Sequence, residues 1–404
     1  MTKGFRILCR GHIHLQLSGP SQVRKRILYL QYTNPAAFPP VEHSSNILAR
    51  GGWEVLFLGI SLAGLESLAL PPHANIKVKL LSPCEPGWRQ KFHFLCFCIW
   101  TLIWVMRWRP RWIYASDLFS TPAALILKTV FGKKVVYHEH DSPGQTAATW
   151  FISICFAARR RLGKIADVVI VPNKVRGEIF RQEQLLDRND IQCVWNCPLT
   201  AEVSPAAKKS LSTDLWIIYH GSIDPERLPV TLIQALATLP EQIKLRVIGY
   251  ETVTTRGYVD MLLQIADQYH IVHRIEFLGA VPRKDVLTWC RLSDIGLSFV
   301  PCDSVNINIR QLTGASNKPF DNLACGIPLL VSNLPEWRTM FVEPGYALSC
   351  DHNDPEDIAR VISWYMEHPV EMRSMGESGR QRILSEWNYD KQFAPVMTIL
   401  DSNL

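Results

Sequence analysis

Short runs of β-branched and apolar residues alternate with helical stretches along almost the whole chain. In the first half, Ile27–Tyr32, Glu54–Ile60, Ile76–Leu81, Trp112–Asp117, Lys134–His140, Ala166–Pro172 and Ile191–Cys197 read as strands, with helical patterns such as Thr121–Phe131 and Trp150–Leu162 between them. Most of these strands are apolar throughout, which predicts a parallel sheet covered by helices on both faces. Residues 201–213 interrupt the pattern with a small, polar, proline-containing stretch, Glu202 to Ser210, of linker composition. The alternation then restarts. Strands are predicted at Leu215–His220, Lys244–Gly249, Arg274–Leu278, Ile295–Val300, Pro328–Ser332 and Tyr346–Ser349. Helices are predicted at Pro229–Leu239, Tyr258–Tyr269, Arg283–Leu292, Pro355–Glu367 and Val370–Glu386.

The prediction is an α/β protein of two doubly wound, Rossmann-like domains facing across a cleft. Residues 1–25 form an N-terminal extension without strand or helix pattern, 26–200 the first domain, 201–213 the linker, 214–385 the second domain and 386–404 a terminal helix. A length of 404 residues suits two domains. In doubly wound sheets ligands bind at the carboxyl ends of the strands, so two facing sheets place a site between them.

Phe92–Met106 departs from this picture, with fifteen consecutive uncharged residues rich in Phe and Trp. As a helix it extends roughly 22 Å, short of the roughly 30 Å of a bilayer's hydrocarbon core. Two readings remain: a core helix, or a helix lying on a membrane surface. Arg89, Lys91, Arg107, Arg109 and Arg111 flank it, so the segment 89–111 suits contact with anionic headgroups.

Apolar residues make up 47% of the chain and charged residues 20%, ample for two cores. The net charge of +6 is modest and no long block of like charge exists, which argues against a nucleic-acid partner. The eleven cysteines show no disulfide framework or zinc spacing, so reduced thiols and a cytoplasmic location are expected.

The densest chemistry lies at Asn317–Pro328, NKPFDNLACGIP. Ser316 is placed to cap a helix, Pro319 suits its first turn and Gly326 ends it. The free N–H groups of such a start favour a diphosphate, and Asp321, about one turn in, falls within reach of an adjoining ribose. An ordinary capped helix with a surface Asp fits the same spacing. Upstream, Tyr219-His220-Gly221-Ser222 ends a strand and Arg227 follows, with Gly221 permitting close backbone approach and Arg227 able to fork onto a phosphate. Val135 to Asp141, VVYHEHD, ends another strand in a run of titratable groups. The loop after the first strand, Asn34 to His43, carries Glu42 and His43.

These stretches resemble the signatures of retaining glycosyltransferases of the GT-B fold, family 4 (glycosyl transferases group 1). The likeness extends over about residues 26–404 and is more specific in the second half. It implies transfer of a sugar from a nucleoside-diphosphate sugar to a hydroxyl of a saccharide or lipid-linked acceptor in polysaccharide or glycolipid synthesis. No metal or other cofactor is implied; the sugar nucleotide is a co-substrate. Asp321 takes the place of the acidic ribose ligand, with Gly221, Ser222, Ser316 and Asn317 beside the donor. Arg227 and Lys318 fall where the family neutralises the leaving diphosphate. His140 falls where a cleft histidine meets the transferred sugar, in a positioning role, and Glu42 and His43 fall on the acceptor side. The terminal helix is expected to cross back to the first domain. The family's second Glu, eight residues before its ribose ligand, is Thr313 here, and Ser222 stands where many members carry Arg. Two other readings share the fold: a sugar-nucleotide epimerase, or a non-catalytic donor-binding protein.

Overall fold

The computed structural model describes residues 24–61, 68–85, 87–143, 149–205, 214–252, 254–302 and 307–403. Most of the expected extension, 1–23, and most of the expected linker, 206–213, lie outside the described residues.

The first sheet contains β1 (Arg26–Leu30), β2 (Glu54–Ile60), β3 (Ile76–Leu81), β4 (Trp112–Ser116), β5 (Lys134–His138), β6 (Val168–Val171) and β7 (Gln192–Cys193). Its helices are α1 (Pro39–Arg50), α2 (Trp88–Trp108), α3 (Thr121–Thr129), α4 (Trp150–Ile165) and α5 (Lys174–Glu183). The second sheet contains β8 (Leu215–Ile223), β9 (Ile243–Glu251), β10 (Ile275–Phe277), β11 (Ile295–Ser298), β12 (Leu329–Ser332) and β13 (Ala347–Cys350). Around it lie α6 (Val230–Thr238), α7 (Tyr258–Gln268), α8 (Arg283–Arg291), α9 (Ile307–Arg310), α10 (Asn317–Ala324), α11 (Pro335–Trp337), α12 (Pro355–Glu367) and α13 (Pro369–Ser385), with α14 (Tyr389–Ser402) at the end.

Strand order is β3-β2-β1-β4-β5-β6-β7 in one sheet and β10-β9-β8-β11-β12-β13 in the other. Every pairing is parallel. Both sheets are therefore the predicted doubly wound type, and the order reverses between β1 and β4 and between β8 and β11. Central strands such as β4 and β6 are buried along their whole length, as their unbroken apolar runs require. The edge strand β3 is largely exposed and carries Lys77 and Lys79, charges that discourage pairing with another chain.

The structure shifts several predicted strand ends. β7 covers two residues rather than Ile191–Cys197, because the chain turns to bond the other half: Asn196 N–H donates to the Gly314 carbonyl at 2.7 Å. β5 stops at His138, so Glu139 and His140 lie beyond the strand. β8 runs on to Ile223, which puts Gly221 and Ser222 within the strand itself.

α14 packs Tyr389, Phe393, Val396 and Leu400 into the first sheet's core beside Ile27, Val41, Trp53 and Trp112. Trp387, just before it, belongs to the second half's core with Phe320 and Phe341. The chain thus passes from one core to the other within two residues, where Asn388 caps α14 by accepting from Lys391 N–H.

α2 joins the two readings of the uncharged segment in one helix. Phe94, Phe97, Thr101 and Val105 are buried on one side. Trp88, Phe92, Leu95, Ile99, Ile103 and Met106 repeat at helical spacing on the other side, each at least 49% exposed. No described helix is long and apolar enough to cross a membrane.

Candidate donor site and the interdomain cleft

A cavity of about 350 Å³ opens where the two halves meet. From the first half it is walled by Ala36, Ala37, Pro39, Leu68, Asp141 and Arg176. From the second half the ends of β8, β9 and β11 and the start of α10 supply the wall. Gly221, Ser222, Arg227, Ser316, Asn317, Lys318 and Asp321 all line this one cavity, although 100 positions of sequence separate Gly221 from Asp321.

The backbone of β8 and β9 is pinched at this point. A Cβ on Gly249 would come within 1.8 Å of the Gly221 carbonyl, and a Cβ on Gly221 within 2.9 Å of Lys318 Nζ. Only glycines allow the two strands and the lysine to meet so closely. Lys318 Nζ consequently lies over the end of β8, 5.3 Å from the Tyr219 ring centre.

The electrostatics of the wall leave two cations available. Asp141 lies 3.7 Å from Arg176, and Asp321 is paired with Arg283 at 2.8 Å. Arg227 donates to Ser222 Oγ at 2.6 Å, with Asp224 farther off at 3.6 Å. Burial, reinforced by the Arg227 charge, pushes the Lys318 ammonium down to about 7. A lysine held near neutrality beside an arginine regains its charge when an anion joins the two. α10 adds dipole and N–H groups in the same direction, since Ser316, expected to cap it, makes no side-chain cap bond. His220 also lines the cavity; burial lowers its ring to about 4, so it stays neutral.

Three first-half candidates, His140, Glu42 and His43, are not among the residues that wall this cavity. His140 is not part of the cavity wall: its ring is buried, 3.0 Å from Ser116 Oγ, and burial lowers it to about 3. Its backbone acts instead, the N–H donating to Asp117 at 3.0 Å and the carbonyl accepting from Arg176 at 2.9 Å. His43 is fully buried, with Nε2 3.0 Å from Glu202. Glu42 is absent from the wall as well, because α1 turns these residues toward Glu202 and Arg283, and its carboxyl is raised by burial. The loop contributes Ala36, Ala37 and Pro39 to the cavity. Thr313 also faces elsewhere, donating to Glu336 at 2.6 Å in a neighbouring groove with Asn173 and Trp195.

Two arginines in the wall escaped the sequence reading. Arg176 donates to the carbonyls of His140 (2.9 Å), Gln311 (3.0 Å) and Asn308 (2.8 Å), fastening the halves together. Arg283 forks onto both Asp321 and Glu202. Each sits near a helix start with no motif around it. Their neighbours Lys174, Val175, Pro282, Lys284 and Asp285 are exposed, so in the sequence each reads as an ordinary surface arginine.

Residues 227–398 match a family described as Glycosyl transferase-like, the region that holds most of the cavity's lining residues. The chain has the GT-B fold, and its second half is similar to the glycosyl transferase-like family. A mannosyltransferase of Corynebacterium glutamicum, described as GDP-mannose-dependent and acting on a monoacylated phosphatidylinositol monomannoside, is 22% identical over 212 residues, covering 51% of this chain and 52% of the relative. The chain thus spans about half the length of that curated relative. HepE of Anabaena, solved with UDP and glucose, superposes with a TM-score of 0.69 at 15% identity over 94% of this chain and all of its own. WaaG, a glycosyltransferase involved in lipopolysaccharide biosynthesis, superposes at 0.63 with 12% identity, over 92% and 99% of the two chains.

Proposed function

We propose that this protein is a family 4 glycosyltransferase that transfers a hexose from a nucleoside-diphosphate sugar to a hydroxyl of a saccharide or lipid-linked saccharide, with retention at the anomeric carbon. The carrying observation is the pair Arg227 and Lys318, two basic side chains that line one cavity beside the start of α10, Lys318 pushed down to about 7 in part by the Arg227 charge. As the anomeric C–O bond breaks, charge builds on the departing diphosphate, where these groups are already oriented. The acceptor oxygen forms its bond to the same face of the sugar. Its proton passes to the departing phosphate oxygen, because His140 and His220 are buried and neutral and Asp321 is held in an ion pair. His140 serves through its carbonyl, which orients Arg176 on the wall.

The donor and acceptor classes draw on the relatives, one named for GDP-mannose and a phosphoinositide glycolipid, another solved with UDP. A lipid-linked acceptor also suits the exposed apolar stripe of α2. α2, α3 and α4 contain no Asp or Glu at all, while Arg89, Lys91, Arg107, Lys128, Arg160, Arg161 and Lys164 are distributed over them. That combination fits a peripheral protein on the anionic cytoplasmic face of a membrane.

The test is release of nucleoside diphosphate from UDP- and GDP-sugars in the presence of a membrane-lipid extract. Arg227→Ala and Asp321→Ala are each expected to lower turnover about 100-fold or more while circular dichroism stays native. Wild-type turnover in both variants would refute the assignment. Epimerised sugar nucleotide formed from donor alone, or tight donor binding with no turnover, would favour the two rival readings.

A further inference from the structure

We propose that Arg283 is a positioning residue that aims Asp321 at the donor ribose, and that Glu202 and His43 make this grip depend on the interface between the two halves. The inference rests on the donor reading above and adds Arg283 and Glu202, which neither the motifs nor the relatives single out.

The geometry is a chain of charged groups running across the molecule. Asp321 is only 2% exposed. Arg283 Nη2 donates to its Oδ1 at 2.8 Å and Nη1 to its Oδ2 at 3.0 Å. The other edge of the same guanidinium grips Glu202, Nε to Oε1 at 2.7 Å and Nη2 to Oε2 at 3.1 Å. Glu202 closes the turn Thr200–Glu202 that leads into the linker, and its Oε2 also accepts from Leu199 N–H at 2.8 Å. His43 Nε2, on α1 of the first half, stands 3.0 Å from that oxygen, with its ring edge-on to Tyr389 of α14 at 5.2 Å.

This arrangement limits what Asp321 can do. A carboxylate offers about four lone-pair positions, two per oxygen. Arg283 takes one on each oxygen and holds the group in plane, leaving one on each for a ligand. Two acceptors at fixed spacing match the two hydroxyls of a vicinal diol, the feature that separates a ribonucleotide from its 2′-deoxy form. Shortening the family's Glu to Asp withdraws the carboxylate by one carbon, and the Arg283 fork fixes where the shorter group stops. Because Glu202 and His43 anchor Arg283 from the linker and from α1, the aim of Asp321 depends on how the halves are seated.

Isothermal titration with UDP, GDP, dUDP and dGDP tests this, with inorganic pyrophosphate as the probe of the cationic pair alone. The wild-type protein is expected to bind its preferred ribonucleotide about tenfold more tightly than the deoxy form. Arg283→Lys keeps the charge but loses the fork; it should reduce that ratio to under about threefold while pyrophosphate affinity stays within about twofold. Glu202→Gln, the milder variant, should shift the ratio the same way and carries the test if Arg283→Lys does not fold. An unchanged ratio in both variants, or an equal loss of ribo- and deoxynucleotide affinity, overturns the proposal, since a purely structural role would give one of those results. A wild-type protein that binds no ribonucleotide more tightly than pyrophosphate overturns the donor reading itself, and this inference with it.

Discussion

Lys318 shows how one residue's surroundings become a measurable property. Its ammonium lies over Gly221, close to Arg227, and titrates near pH 7 rather than in the usual lysine range. Between about pH 7 and the ordinary lysine pKa the native protein binds fewer protons at this position than the unfolded chain does. Stability contributed here therefore rises with pH across that window. A diphosphate reverses the preference by favouring the charged amine, so donor binding above pH 7 should take up a proton. Calorimetry at pH 8 in two buffers of different ionisation enthalpy is expected to show that uptake, with nucleotide affinity falling as pH rises. Lys318→Met should abolish the uptake, and equal heats in both buffers for the wild-type protein would contradict the account. At this scale the second-half candidates line one cavity. Gly221, Arg227, Lys318 and Asp321 were legible from motif and spacing because they answer to local geometry: a strand end, a helix start. His140, Glu42 and His43 fall outside the cavity wall, because orientation around a strand end or within a helix turn depends on what packs behind. For His140 that is Ser116, and for His43 it is Glu202.

Among the elements, α2 carries the clearest functional consequence. An exposed stripe of Trp88, Phe92, Leu95, Ile99, Ile103 and Met106 has no packing partner among the described residues, and the neighbouring helices add cations without carboxylates. Flotation with vesicles containing anionic phospholipid should recover the protein at low salt, with less recovered at 0.5 M salt or from purely zwitterionic vesicles. Replacing Phe92 and Ile99 together by Asp removes roughly 3 kcal/mol of apolar burial in the interface and adds two repelled charges. Recovery should drop at least tenfold, with donor binding unchanged because α2 is outside the cavity wall. Undiminished flotation would exclude this face, and a concentration-dependent dimer lost in the same variant would identify a second copy of the chain as its occupant. The sequence showed the fifteen uncharged residues but not their division into a buried and an exposed face. An apolar helix has no polar side to reveal which way it is turned.

Across the whole molecule, Arg176 ties the halves directly through two of its three bonds, to the Gln311 and Asn308 carbonyls. Arg176→Gln leaves carbonyls on both halves without their charged donor. An expected loss of about 2–3 kcal/mol should lower the calorimetric midpoint by roughly 5 °C and raise the donor KM more than it changes kcat. A midpoint and KM equal to wild type would deny Arg176 this role. The pattern of apolar runs determined two doubly wound sheets, their parallel strands and the strand ends that carry ligand groups, because burial on both faces writes itself into every residue of a strand. Tertiary structure alone decided the partnerships between distant residues: Arg176 with the His140, Gln311 and Asn308 carbonyls, Arg283 between Asp321 and Glu202, and α14 in the first core. Such pairings join residues up to hundreds of positions apart. A single buried charge leaves no periodic trace in the sequence, so its partner becomes known only when the chain has brought the two together.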